Sequence, residues 1–416
     1  MECPRVLASI VAFVAACGGP PVPPSSQCSS TSGSTVGALG AREAAPPMPE
    51  GAFARLFGAA ETSGDWFAPS FLAQIPLEKV RTIVRSMKDE LGALRAVRRA
   101  EGGFECDFEK GTVPAEAELD EQGRFVRLFF RPPRVKGRTI EAALAAVRAL
   151  PGRASLLVLT DGKERASLSP DAPLAVGSAF KLAVLETLRG QVVAKKRQWS
   201  DVVELDPRWR SMPTGFLQTW PEHAPVTLYA LAALMISQSD NTATDQLLSL
   251  LGRADVERLA PHDRPLLATR ELFVLKSRPN GNLLARFRAE DEAGRRALLA
   301  ELDDKRLSAG DLDLERPTAL DVEWHLSARE LCGLIEKVHD LPLMSINPGP
   351  ASPADWTSIA YKGGAEPGVL NMTTRVSTGL HAHCVVATWN DDQRALEEPK
   401  LFSAYAALLA VLREEG

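Results

Sequence analysis

Apolar residues recur along this chain at two different periods, and the changes of period divide it into segments. Between Leu77 and Leu91 they fall at Leu77, Val80, Ile83, Val84, Met87 and Leu91, the spacing of one buried helix face, and Pro76 suits the first turn of that helix. Shorter runs follow at 93–97, 104–108, 112–119 and 124–130, of strand length and strand composition, the last with Phe125, Leu128 and Phe130 among arginines. Pro132-Pro133 closes the unit. Residues 51–135 therefore read as a small α+β domain. It holds no paired carboxylates, no histidine and no phosphate loop, so nothing in it reads as catalytic.

The alternation then begins again, and residues 140–416 read as a second, larger domain. A helical run at 140–150 ends at Pro151-Gly152, a strand at 154–160 ends at Asp161-Gly162, and another strand is expected near Ala166. Ser178 follows Gly177 where a loop feeds the apolar helix 180–188. A strongly apolar helix at 227–236 gives way to polar residues 237–241 and then to an amphipathic helix at 242–251, which places Ser239 in a connection between helices. From Lys276 to Leu314 charged and apolar residues alternate as in inserted helices. Ser327 and Glu330 form a capping box for a helix running to about Val338. Strands near 357–362, 370–377 and 382–388 and an apolar helix at 402–412 complete the pattern. None of the histidines has metal spacing; His381 and His383 fall on one face of a strand with polar neighbours, which reads as a surface strand.

The first fifty residues break from this order. Residues 1–16 carry Arg5, an apolar run over 6–16 and a small-residue ending, the make-up of a signal peptide, and the run is short of the about 20 residues a membrane span needs. Val14-Ala15-Ala16-Cys17 looks like a bacterial lipobox, which implies cleavage before Cys17 and a lipid on its sulfur. Residues 17–50 are rich in Pro, Ser, Gly, Thr and Ala and read as a disordered tether. Together these imply an exported bacterial protein on the periplasmic side of the envelope, touching the membrane only through Cys17. The pairing of Cys28, Cys106, Cys332 and Cys384 cannot be read from spacing, and buried free thiols are expected.

Composition narrows the choice of function. A chain of 416 residues with 45% hydrophobic content is long enough for two cores. With 53 acidic and 48 basic residues and a net charge of -5, it lacks the basic excess that nucleic acid binding needs. No cofactor or metal is called for, and a monomer acting on a small molecule is expected.

The candidate chemistry lies in three short elements. The first is Ser178-Ala179-Phe180-Lys181: if these residues are helical, Lys181 lies one turn from Ser178, and a serine beside a base becomes a nucleophile. About one Ser-x-x-Lys is expected by chance in a chain this long. This one, however, precedes an apolar helix and comes ahead of Ser239-Asp240-Asn241 and a strand-borne Lys362-Gly363-Gly364. In the mechanism these residues suggest, Lys181 takes the Ser178 proton, while Lys362, a second cation, lowers the pKa of Lys181. Ser239 relays a proton to the leaving group, Asn241 holds Lys181 or a substrate amide, Asp240 braces its loop and Tyr361 reads as packing.

The three elements resemble the Ser-x-x-Lys, Ser-Asp-Asn and Lys-Thr-Gly elements of class A β-lactamases and penicillin-binding proteins. Over 140–416 the resemblance implies a helical lobe beside a sheet, with Ser178 at their junction. It also implies an oxyanion hole made by the backbone amides of Ser178 and Ala365, and substrate contact at Gly363 and Gly364. The activity implied is hydrolysis of a β-lactam or an ester through an acyl-enzyme. The alternatives are a D,D-peptidase acting on peptidoglycan and a non-catalytic binding protein. Gly363 departs from the family's Thr or Ser, whose hydroxyl helps bind a substrate carboxylate. Thr269-Arg270-Glu271 lies where the family's deacylation loop falls, and Glu271 reads equally as a base or as the ion-pair partner of an arginine. The two-domain plan and Tyr361-Lys362-Gly363-Gly364 resemble the β-lactamase-fold proteins encoded with clavulanate biosynthesis. That implies a steroid-isomerase-like fold for 51–135 and activity towards esters more than lactams.

Overall fold

A computed structural model describes residues 48–415 apart from 74, 101, 132 and 136–138. The expected signal peptide, Cys17 with its lipid and nearly all of the tether lie outside the described residues. No helix among the described residues is long and apolar enough to cross a membrane. The chain divides between Arg131 and Pro132 into two compact units.

In the first unit, helices α1 (Pro49–Gly58) and α2 (Leu77–Leu91) precede an antiparallel meander of β1 (Leu94–Ala100), β2 (Gly103–Phe108), β3 (Gly111–Leu119) and β4 (Phe125–Phe130), paired in chain order. Pro49 sits at the start of α1, where the missing N–H costs no helical bond. α1 buries Phe53, Leu56 and Phe57, with Phe57 edge-on to Phe108 at 4.9 Å. α2 buries Val80, Val84 and Leu91, but Ile83 is 38% exposed, contrary to the single face read from its spacing. At about 100° per residue those three lie within about 40° of one another, and Ile83 stands about 80° from their centre, at the rim of the stripe.

The second unit is built on a five-stranded antiparallel sheet. Its strands are β5 (Arg153–Thr160), β6 (Lys163–Leu168), β7 (Ser358–Glu366), β8 (Val369–Ser377) and β9 (Ala382–Asn390), in the order β7-β8-β9-β5-β6. Alternation along each strand sends neighbouring residues to opposite faces. Leu156, Val158, Met372, Val385 and Trp389 pack with α3 (Ile140–Arg148) and the C-terminal helix Glu398–Glu414. Leu157, Ala360 and Val386 join the other core, formed by helices α4 (Lys181–Val193), α5 (Leu228–Ser237), α6 (Asn241–Leu251), α7 (Thr269–Lys276) and α8 (Ala328–Val338). Helices also occupy Gly281–Ala289 and Glu292–Asp303, inside the segment read as an insertion. Ser327 and Glu330 make the reciprocal capping box that starts α8.

Two sequence expectations are corrected in this unit. Cys332 on α8 and Cys384 on β9 form a disulfide, and of the cysteines read as free thiols among the described residues Cys106 alone remains one, buried, its thiol pushed up to about 12 by desolvation. The pairing ties a helix to the sheet across 52 residues of sequence. His383 is not on a surface strand: β9 lies between β8 and β5, and His383 is 1% exposed with its Nδ1 at 3.0 Å from Thr160 Oγ1. His381, just before the strand, is exposed and bonds Asp161.

Candidate active site

Ser178 stands in a single 3-10 turn, Gly177–Phe180, that leads directly into α4. In that geometry residues i and i+3 eclipse, so Ser178 and Lys181 share a face. Gly177 opens the turn at φ +49°, in the left-handed region that glycine enters without strain. The neighbours anchor the turn: Ala179 and Phe180 are buried, and Phe180 stacks on Trp324 at 4.1 Å between ring centroids. Ser178 itself is half-buried, and its hydroxyl makes no hydrogen bond among the described residues, to Lys181 or otherwise.

Lys181 is wholly buried. Its Nζ donates to Asn241 Oδ1 at 2.6 Å, to Ser239 O at 2.7 Å and to Ser239 Oγ at 3.2 Å. Lys362 Nζ approaches the same hydroxyl from β7, donating to Ser239 Oγ at 3.1 Å and to Gly363 O at 2.6 Å. One serine hydroxyl thus lies between two buried amines. Burial lowers Lys181 from 10.5 to about 7, against the opposing pull of Asp245, Asp240 and Glu366. Lys362 is held well below its ordinary value, first by burial and then by the charge of Lys181. Lys362 was expected to cause the Lys181 shift; instead burial lowers Lys181, and the charge effect acts the other way, with Lys181 lowering Lys362 further.

Ser239 takes φ +54°, a conformation that is costly for a residue with a side chain and is held by its surroundings. Thr214 Oγ1 donates to Ser239 O at 2.7 Å, and Asn241 Nδ2 donates to Met212 O at 3.0 Å. Asp240 caps α6 through Ala243 N at 2.9 Å and accepts from Phe216 N at 2.8 Å and Leu217 N at 3.0 Å, which ties the 211–217 loop to the turn. Asn241 therefore spends its amide on Lys181 and on that loop. Thr214 carries no sequence signal of its role.

The oxyanion-hole candidates meet where β7 passes the 3-10 turn. A Cβ placed on Gly364 would stand 2.5 Å from Ser178 N and 2.1 Å from Val176 O, and one on Gly177 would stand 3.4 Å from Ala365 N. Glycine at 364 lets the strand lie directly on the backbone of the turn. At Gly363 a Cβ would meet the Tyr361 hydroxyl at 2.2 Å and Asn371 O at 3.0 Å, so Tyr361 fills the space that a side chain at 363 would need. Gly363→Thr is accordingly expected to destabilise the protein by about 1–3 kcal/mol rather than restore a carboxylate contact, with partial relief from an added Tyr361→Phe, as read by denaturant midpoints.

Glu271 lies on the first turn of α7, 4% exposed, and both its oxygens are taken. Arg253 binds it in bidentate fashion at 2.6 and 2.9 Å, and Ala268 N donates to Oε2 at 2.7 Å. A carboxylate that the sequence did not single out acts on the lysine: Asp245, wholly buried one turn after Asn241, accepts from Thr269 N and Arg270 N, each at 2.7 Å, and its charge is the largest of those opposing the Lys181 shift. Burial raises Asp245 to about 7 despite those donors. Its spacing from Asn241 on one helix face was visible in the sequence, but its partners were not. Among the described residues no three His, Cys, Asp or Glu side chains are grouped to hold a metal.

Part of the chain matches a known family model. Residues 138–262 match the family model Beta-lactamase2, described as the Beta-lactamase enzyme family. That stretch contains Ser178, Lys181, Ser239 and Asn241; Lys362 and Ala365 lie beyond it. No curated protein matches the chain. Among solved structures, the chain is similar to the β-lactamase of Sphaerobacter thermophilus DSM 20745, with 19% identity over 66% of this chain and 94% of that one and a TM-score of 0.46. It is also similar to PBP-A, at 16% identity over 67% and 96% with a TM-score of 0.45. A β-lactamase from Chitinophaga pinensis DSM 2588 follows at 16% identity over 66% and 98%, TM-score 0.47.

Proposed function

We propose that this protein is a serine hydrolase that forms an acyl-enzyme on Ser178 with a β-lactam or an ester. The observation that carries the reading is the Ser239 hydroxyl held between Lys181 Nζ at 3.2 Å and Lys362 Nζ at 3.1 Å, with Ser178 on the same turn as Lys181. Neutral Lys181 takes the Ser178 proton as the oxygen attacks the carbonyl. The amides of Ser178 and Ala365 receive the oxyanion, each worth about 3 kcal/mol of transition-state stabilisation. Ser239 then passes its hydroxyl proton to the leaving group and takes one from Lys181 at 3.2 Å, which returns Lys181 to the neutral form, with Lys362 fixing the hydroxyl. Substrate meets β7 through the backbone of Gly363 and Gly364, since a side chain at either position collides with Tyr361 or with the turn that bears Ser178.

The engagement of both Glu271 oxygens supports slow release of a bulky acyl group, which favours small esters over lactams in turnover. The same observation favours a second reading, a D,D-peptidase of the penicillin-binding type, in which a penicillin adduct persists. In either reading Cys17 carries the lipid anchor, the protein works as a monomer at the periplasmic side of the envelope, and residues 51–135 keep a steroid-isomerase-like fold of unassigned role. Nitrocefin, a fluorescent penicillin and p-nitrophenyl acetate given to the same preparation test the reading. Ester turnover with a penicillin adduct lasting minutes or longer is expected. Rapid penicillin turnover without an adduct would identify an efficient β-lactamase instead.

The pH dependence of acylation follows from Lys181. With its pKa lowered from 10.5 to about 7, the neutral base accumulates as pH rises, so the single-turnover acylation rate should climb through about pH 7 and level off above it. The same shift affects stability: between about 7 and 10.5 the unfolded chain binds the proton that the folded one has lost, so this group's contribution to stability grows with pH across that window. An acylation rate flat from pH 5 to 9 would remove Lys181 as the base.

A further inference from the structure

We propose that Lys276 is a positioning residue for the oxyanion hole, clamping the strand that bears Ala365 to the segment that braces Ser178. The inference rests on the serine reading above. Lys276 ends α7, and its Nζ donates to Glu366 Oε2 at 2.9 Å and to Glu323 Oε1. The lysine and both carboxylates are nearly out of solvent, with side-chain exposures of 7% for Lys276, 0% for Glu323 and 14% for Glu366.

The two carboxylates stand on the two sides of the oxyanion hole. Glu366 follows Ala365 at the end of β7, on the strand face of Lys362 and Gly364. Glu323 precedes Trp324, whose carbonyl accepts from Val176 N at 2.9 Å and whose ring stacks on Phe180. Val176 and Phe180 are the residues on either side of Gly177-Ser178-Ala179. One buried ammonium is therefore bonded to the strand that carries Ala365 and to the segment that holds Val176, two residues before Ser178. The other end of α7 is fixed as well, by Asp245 on α6 accepting from Thr269 N and Arg270 N. α7 spans the distance from the Ser239-Asp240-Asn241 helix to the oxyanion strand as a strut.

Stability alone does not account for this arrangement. A buried charge cluster is often no better than apolar residues of the same volume, and Glu323 Oε2 is buried with no hydrogen-bond partner among the described residues. What the cluster supplies is a fixed distance between two backbone amides, and oxyanion donors lose much of their effect when displaced by a fraction of an ångström.

The test is acylation of the full chain by benzylpenicillin carrying carbon-13 at the lactam carbonyl, followed by stopped flow and by the infrared band of the acyl carbonyl. That band reports hydrogen bonding in the hole, which a merely structural role would leave unmoved. Lys276→Met should slow acylation by roughly tenfold to a hundredfold and shift the band to higher frequency, with Lys276→Arg recovering part of both. An unchanged rate and band, with the adduct still on Ser178, would overturn the clamp and leave the serine reading standing. Absence of any adduct on the unsubstituted protein, together with no turnover of the penicillin or of p-nitrophenyl acetate, would overturn the serine reading and the clamp with it. Should Lys276→Met lose its native circular dichroism, Glu366→Gln, which keeps the shape and removes the charge, is read by the same band, and no shift there overturns the proposal.

Discussion

Ser178→Ala should reduce hydrolysis of every substrate by at least about 10⁴-fold, and Lys181→Ala should come close to the same loss, because nucleophile and base act as one unit. The double variant should be no worse than Ser178→Ala. The local structure makes this a clean experiment at Ser178, whose hydroxyl is half-exposed and makes no hydrogen bond among the described residues, so its removal leaves no buried group unpaired. Lys181 differs. Three acceptors converge on its Nζ, and alanine there opens a cavity against Asn241 and Ser239, so part of the loss will appear as reduced stability. Reading kcat at a temperature well below each variant's midpoint separates the two effects. Retention of more than a hundredth of the activity by Ser178→Ala would move the nucleophile elsewhere.

Glu271→Gln should destabilise the protein on the order of 3 kcal/mol while leaving the lifetime of an acyl adduct unchanged. Glu271 is tied to Arg253 and to Ala268 N in a site with almost no solvent access, so substitution leaves the guanidinium short of its counter-charge. A general base needs a lone pair open to a correctly placed water, and three of the about four acceptor sites of Glu271 are engaged, one on Oε1 and two on Oε2. Denaturant midpoints and the decay of the adduct by intact mass measure the two effects separately. An adduct that persists at least tenfold longer in Glu271→Gln would make Glu271 a deacylation base after all.

The sequence was most legible where the candidate site depends on local spacing. Ser178 and Lys181 stand three apart on one turn, Ser239 interrupts two helices and Lys362 rides on a strand, and each relation is set by the periods of helix and strand. Helix and strand positions in 140–416 could be read for the same reason. What escaped was whatever depends on contacts between distant segments. Lys276, Glu323 and Glu366 look like ordinary surface charges in the sequence, and only folding brings them together across 47 and 90 positions. The partners of Cys332 and Glu271 belong to the same class. Ile83 and His383 failed for another reason: periodicity gives a face but not the width of what covers it, so one apolar residue lies at a rim and one histidine inside a sheet. Gly363 could be read as a lost hydroxyl, but not as the space that Tyr361 occupies.

The most direct measurement is the site of covalent attachment. After incubation of the full chain with a penicillin, intact mass and peptide mapping should find one adduct, on the peptide containing Ser178, and none on Ser178→Ala. An adduct on any other residue, or one that survives Ser178→Ala, would contradict the acyl-enzyme account.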